Sequence, residues 1–280
     1  MRRAGAGKRL KVPEADPSKQ VEPSWAGPPD RSCLVLLDLG FCWILGFCWI
    51  FAAARANVRG VKRLRPPTHV IFDLDGVLLD TEPIYTLGTR QIAARWGKAY
   101  GWELKAELMG RAPLEGARRV VDALGLPLTP EEYLRERDLI VEDLFAAAAP
   151  IDGAPELVAA LDRRGLPLGI ATSSERRLFG LKVQNHAWLR VMRAVVCGDD
   201  PGAGRHKPAP DIFLRVADAL GAPPPACLVF EDSLAGVAAA RAAGMQVVAR
   251  VDPHFDLECF READLAVRSY AELDLDGLGP

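Results

Sequence analysis

The stretch His69-Val70-Ile71-Phe72-Asp73-Leu74-Asp75-Gly76-Val77-Leu78-Leu79-Asp80-Thr81-Glu82 decides how this chain is read. His69 to Leu74 is an apolar run with β-branched members and no polar alternation, the pattern of a strand covered on both faces. Asp73, Asp75 and Gly76 follow where that strand runs out. Thr81 or Asp80 can then cap a helix that carries Pro83 in its first turn.

Downstream, from Thr81 to about Pro150, the pattern is helical throughout with no convincing strand, and Thr129-Pro130-Glu131-Glu132 is a second helix start. From Ile151 the chain alternates. Helices are expected over Ala154–Arg164, Asp211–Leu220 and Ala235–Ala243, each stopped by a glycine (Gly165, Gly221, Gly244). Strands are expected over Leu168–Thr172, Ala194–Cys197, Cys227–Phe230, Gln246–Ala249 and Leu265–Val267. The fold class is therefore α/β: a Rossmann-like parallel sheet with helices on both faces and an inserted α-helical cap. Residues 67–83 and 151–280 form the catalytic core and 84–150 the helical cap. Such sheets bind ligands beyond the carboxyl ends of their strands.

Upstream, residues 1–66 are a basic extension with 12 Lys or Arg against 5 Asp or Glu, although the whole chain of 280 residues has a formal charge of only -2. That near-neutral balance argues against a nucleic-acid partner, and 49% hydrophobic content excludes a disordered chain. Cys33 to Ala54 contains Asp38 as its sole charge and is long enough to span a bilayer. Gly40-Phe41-Cys42-Trp43-Ile44 recurs as Gly46-Phe47-Cys48-Trp49-Ile50 without helical or strand logic, which favours a dispensable extension over a signal anchor or a cleaved signal peptide. Cys197, Cys227 and Cys259 are scattered singly, without metal-ligand spacing, as expected of a reduced cytoplasmic protein. Membrane attachment through residues 33–54 is the alternative.

The strand ends gather Asp73-Leu74-Asp75, Thr172-Ser173-Ser174 and Glu231-Asp232-Ser233, with Lys207-Pro208 in a loop before a helix. Singly, each reads as a helix cap, a turn or a solvated loop. Together, on one edge of one sheet, they describe phosphoryl transfer. Crowded carboxylates repel unless a cation or proton intervenes, and hard oxygen ligands select magnesium. A carboxylate can attack phosphorus, and an ammonium with hydroxyl or N–H donors can stabilise the equatorial oxygens.

These motifs resemble, in order, the four motifs of the haloacid dehalogenase superfamily: Phe72 to Glu82, Ala171 to Ser174, Lys207-Pro208-Ala209-Pro210-Asp211, and Phe230 to Ser233. The resemblance covers residues 67–280. It implies that Asp73 is the nucleophile and Asp75 the acid and base. It also implies that Mg²⁺ is held by the Asp73 and Asp232 carboxylates and the Asp75 backbone carbonyl, with Glu231 supporting the metal's surroundings. Thr172, Ser173 and Lys207 would hold the phosphoryl oxygens. His206 stands where such proteins usually have glycine, which puts the placement of the lysine loop to the test.

Leu108-Met109-Gly110, Cys197 to Pro201, Cys227 to Asp232 and Ala243 to Val248 resemble the branch that hydrolyses pseudouridine 5'-phosphate. The partner implied is thus a small phosphomonoester, a nucleoside monophosphate. A sugar-phosphate phosphatase or phosphomutase, and a non-catalytic binding protein that keeps the fold, are the alternatives. In the cap, Gly110 and Arg111 are the candidate specificity contacts, since glycine permits close approach and Arg111 can pair with a substrate oxygen or simply face solvent. Trp96, Tyr100 and Trp102 are either base-stacking or core residues. The stretch Glu175 to Arg193 is more basic and tryptophan-bearing than the resemblance leads one to expect.

Overall fold

The structure, a computed structural model, describes residues 64–108 and 113–275. The apolar stretch 33–54 and the proposed contacts Gly110 and Arg111 lie outside the described residues. Among those described, no helix is long and apolar enough to cross a membrane.

The chain opens with β1 (His69–Phe72) and the short β2 (Leu79–Asp80), followed by four helices: α1 (Glu82–Ala94), α2 (Trp102–Leu108), α3 (Pro113–Leu124) and α4 (Pro130–Phe145). Then come β3 (Ala149–Pro150), α5 (Ala154–Arg163), β4 (Leu168–Ala171), α6 (Arg176–Val183) and β5 (Ala194–Val196). The series ends with α7 (Asp211–Leu220), β6 (Cys227–Glu231), α8 (Leu234–Ala242), β7 (Gln246–Arg250) and β8 (Leu265–Val267). Six strands form one sheet in the order β5-β4-β1-β6-β7-β8, with every pairing parallel.

The strand pleat explains the unbroken apolar runs. Ile71, Val229 and Val247 share one core with Phe213 and Val216 of α7 and Val237 and Ala240 of α8. Their neighbours Val70, Phe72, Leu228, Phe230 and Val248 point the other way, against Leu157, Val158 and Leu161 of α5. Both faces are dry, so neither can afford alternating polar residues. Gly169 lets α7 approach β4, because a Cβ there would lie 2.6 Å from Val216 Cγ1.

Between β2 and β3, Ile92, Ala117, Val120, Val121, Leu126 and Tyr133 build a separate small core. A further cluster joins Val141 and Phe145 of α4 to Leu178 of α6. The expectation of an entirely helical segment up to Pro150 needs correction. Leu79 and Asp80 pair antiparallel with Pro150 and Ala149, and Ile151 N donates to Leu78 O at 2.9 Å. A two-residue strand has no periodicity to read, and its partner lies some seventy residues away. β1 also stops at Phe72, two residues short of the expected end.

The two expected helix starts behave differently. Thr129 caps α4 by accepting from Glu132 N at 3.1 Å while Glu132 Oε2 accepts from Thr129 N at 2.8 Å, a reciprocal capping box. Thr81 occupies the cap position of α1 but makes no side-chain cap bond. Its hydroxyl donates to Asp75 Oδ1 instead.

Candidate active site

The main site is assembled at the carboxyl ends of β1, β4 and β6. Asp73 N donates to Phe230 O at 2.9 Å, which carries the β1–β6 ladder one residue past the strand and fixes Asp73 beside Glu231. Lys207 reaches in from the loop before α7. Its Nζ lies 2.6 Å from Asp73 Oδ1, 2.6 Å from Glu231 Oε1 and 3.3 Å from Ala171 O. All three charged side chains are buried. His206 has therefore not displaced the lysine loop.

Glu231 also organises the next turn. Its Oε2 accepts from Asp232 N at 2.8 Å, Ser233 N at 2.8 Å and Ser233 Oγ at 3.0 Å. Ser233 Oγ in turn accepts from Gly236 N at 3.0 Å and caps α8. Glu231 thus anchors both Lys207 and the turn bearing Asp232. The Asp232 carboxylate rests on the Asp75-Gly76 turn. A Cβ on Gly76, whose φ is +77°, would lie 1.9 Å from Asp232 Oδ2, so this position requires glycine twice over.

The site's electrostatics follow from crowding. Burial pushes the Asp73 carboxyl up to about 7, against the opposing pull of Lys207 and with help from Glu231 and Asp75. Burial, then Glu231 and Asp73, push Asp232 well above the ordinary carboxylate range. Lys207 already spans Asp73 and Glu231. Among the described residues no ammonium or guanidinium lies within ion-pair distance of Asp232.

A family profile of haloacid dehalogenase-like hydrolases matches residues 67–244. The chain belongs to the haloacid dehalogenase-like hydrolases. It is 42% identical over 211 residues to (DL)-glycerol-3-phosphatase 2 of Arabidopsis thaliana, covering 73% of this chain and 88% of that one. It is 40% identical over 222 residues to a Drosophila melanogaster protein named probable pseudouridine-5'-phosphatase, covering 78% and 96%. Among solved structures, CbbY from Rhodobacter sphaeroides in complex with phosphate superposes with a TM-score of 0.64 at 26% identity, over 76% of this chain and 99% of that one. Like the proteins of those two names from Arabidopsis and Drosophila, the chain is a phosphatase.

A cavity of about 310 Å³ lies over the sheet edge of this hydrolase. Asp73, Asp75, Lys207 and Asp232 line its floor, and Glu82, Lys105, Tyr100, Tyr133 and Arg137 line its helical side. Of the motif that follows β4, Ser173 and Ser174 line the cavity. Thr172 is fully buried, and its Oγ1 accepts from Ser174 N at 3.1 Å. The Thr172 hydroxyl thus shapes the loop from behind Ser173 and Ser174, which line the cavity. Tyr100 is on the cavity wall, Trp96 packs in the helical core, and Trp102 lies against His254 with ring centroids 4.1 Å apart.

Asp75 sits in a second cluster that sequence reasoning missed. Its Oδ1 accepts from Lys182 Nζ at 2.6 Å and from the Thr81 hydroxyl, and its Oδ2 accepts from Ser174 Oγ at 2.9 Å. Burial alone would raise the Asp75 carboxyl, but Lys182 with these hydroxyl donors outweighs it and holds the group below its ordinary range. Lys182 is completely buried in α6. Its one sequence signal was its position four residues after Leu178, on the apolar stripe of a short helix.

Proposed function

We propose that this chain is a Mg²⁺-dependent phosphomonoester hydrolase that works through an aspartyl-phosphate on Asp73, with pseudouridine 5'-phosphate as its substrate. The observation that carries the reading is the buried Asp73–Lys207–Glu231 triangle at the sheet's carboxyl edge, opening on a cavity whose floor also holds Asp75 and Asp232.

In the first step an Asp73 carboxylate oxygen attacks phosphorus, the ester P–O bond breaks, and Asp75, protonated from solvent as the substrate binds, gives that proton to the departing oxygen. In the second step water attacks the same phosphorus, Asp75 takes a proton from it, and Asp73 leaves as carboxylate with release of phosphate. Lys207 is placed to neutralise charge on the transferring group, and Ser173 to donate to its oxygens. Lys207 is shared between Asp73 and Glu231 and Asp232 has no cation partner among the described residues, so three carboxylates share one ammonium, which fits a divalent cation held by the Asp73 and Asp232 carboxylates and the Asp75 carbonyl. Bound there, Mg²⁺ would supply charge compensation for the phosphoryl oxygens. The helices of residues 84–150 serve as the cap that gives substrate selectivity. Among the described residues Cys197, Cys227 and the exposed Cys259 are free thiols, which suits a reducing compartment such as the cytoplasm.

Support for the pseudouridine substrate comes from the Drosophila relative, matched over 96% of its length. A glycerol phosphate substrate is the second reading, favoured by the 42% identity to the Arabidopsis glycerol-3-phosphatase. The test is phosphate release by the full chain from pseudouridine 5'-phosphate, uridine 5'-phosphate, glycerol 3-phosphate and fructose 1-phosphate, with Mg²⁺ and with chelator. The expected result is Mg²⁺-dependent release, with the highest kcat/KM for pseudouridine 5'-phosphate. A preference for glycerol 3-phosphate selects the second reading, isomerised sugar phosphate without free phosphate would mark a mutase, and no turnover on any ester would overturn the enzymatic account.

A further inference from the structure

Lys182 belongs to the stretch whose basic character stood out in the sequence, and nothing in the reaction just described uses it. Its Nζ has three hydrogens and three acceptors: Asp75 Oδ1 at 2.6 Å, Ser174 Oγ at 2.7 Å and Tyr85 OH at 2.9 Å. It also lies 5.0 Å from the Tyr85 ring centroid and 4.9 Å from that of Phe145. A fully buried ammonium is retained only where its charge is compensated, and Asp75 is the one carboxylate within ion-pair distance of it among the described residues.

The two ends of this contact lie on different parts of the fold. Asp75 and Ser174 follow strands of the sheet, whereas Tyr85 is on α1 and Phe145 on α4. Tyr85 and Phe145 also pack edge to face, 5.3 Å apart, so the aromatic seat of the ammonium is itself fixed by the helical insert. Asp75 in turn has both oxygens engaged, one by Lys182 and Thr81 and the other by Ser174. Free rotation of its carboxylate about χ2 is therefore blocked.

We propose that Lys182 is a positioning residue: it sets the orientation of the Asp75 carboxylate and ties that orientation to the seating of α1 and α4. This deepens the functional reading above and rests on it. It acts on both proton transfers of Asp75, to the leaving oxygen and from water; kcat/KM reports the first alone, and there it matters in proportion to how much the leaving oxygen needs a proton. An alkoxide leaving group needs one badly, whereas 4-nitrophenolate departs without one.

The experiment uses the full chain as wild type, Lys182→Met, Asp75→Asn and the double variant. For each, kcat and KM are measured on the best alkyl phosphate of the substrate panel and on 4-nitrophenyl phosphate, with circular dichroism to check folding. For Lys182→Met the expected result is a fall in kcat/KM of tenfold or more on the alkyl ester and less than threefold on the aryl ester. Equal losses of kcat/KM on both esters, or no loss, would overturn the proposal. Lys182→Met leaves Asp75 without its cation and can fail to fold; the double variant removes both charges and escapes that problem. A residue acting solely through Asp75 adds nothing once Asp75 is gone, so the double variant should match Asp75→Asn within twofold. A further drop of tenfold refutes the role. Failure of wild type on every ester would fell the functional reading and this inference with it, whereas an active wild type with indifferent Lys182 variants would fell this inference alone.

Discussion

Substituting alanine for Gly236 should damage this enzyme even though it improves the helix. Gly236 lies in the first turn of α8, where alanine is intrinsically better than glycine by at most about 1 kcal/mol. Its missing side chain, however, is the space that the Glu231 carboxylate occupies. A Cβ at Gly236 would stand 1.8 Å from Glu231 Oε1, 1.9 Å from Cδ and 2.3 Å from Oε2. The carboxylate would have to rotate away. It is held by Lys207 Nζ, Asp232 N, Ser233 N and Ser233 Oγ, and hydrogen bonds to a charged group contribute roughly 1.5–3 kcal/mol each. Loss of two of the four costs about 3–6 kcal/mol, so the net change is a destabilisation of about 2–5 kcal/mol after the helix gain. Lys207 would also lose one of its two carboxylates, and kcat/KM should fall at least tenfold. Urea unfolding at neutral pH gives the first number and phosphate release the second. An alanine variant about 1 kcal/mol more stable than wild type, with unchanged kcat/KM, would show that Glu231 has room to move and does not hold the site.

Asp73→Asn should abolish phosphate release while leaving a folded protein, checked by circular dichroism beside the activity assay; a near-normal rate would remove Asp73 as nucleophile. Lys207→Ala strands two buried carboxylates and should cost about 3–5 kcal/mol in urea unfolding, with a lower kcat and a higher KM. Thr129→Ala breaks the capping box of α4 and should cost about 1 kcal/mol in the same assay, with the catalytic constants hardly moved. For Asp200, the hydrogen bond from Arg176 is the main cause of a carboxyl held below its unfolded value of 3.8. A depressed carboxyl stabilises above that value and loses its contribution as pH falls through the lower folded value. The stability gap between wild type and Asp200→Asn should therefore be constant above about pH 5 and close below pH 3.8; a gap that widened in acid would reverse the sign.

Much of this site was legible because its parts follow local rules. The carboxylates and hydroxyls stand immediately after strands that are apolar on both faces, and a parallel sheet brings its strand ends to one edge whatever the loops between them do. Asp73, Lys207, Glu231 and Asp232 could therefore be grouped without coordinates. The Thr172-Ser173-Ser174 loop was found, but its detail came from folding: Ser174 N donates to Thr172 Oγ1, and Ser173 and Ser174 line the cavity. Thr81 was found as a helix start, yet its hydroxyl chose a carboxylate over the backbone because Asp75 lies beside it in space.

Sequence alone determined the order of the six sheet strands and of α5, α7 and α8, the glycine stops and the capping box of α4, because each is settled among residues a few positions apart. It also marked the catalytic edge, since the chain direction of the strands fixes which ends meet. Tertiary structure decided the pairing of β2 with β3 and the partner of Lys182, which lies 107 positions from Asp75. A buried charge must be matched by whatever folding brings against it, and that neighbour is not written in the residues on either side.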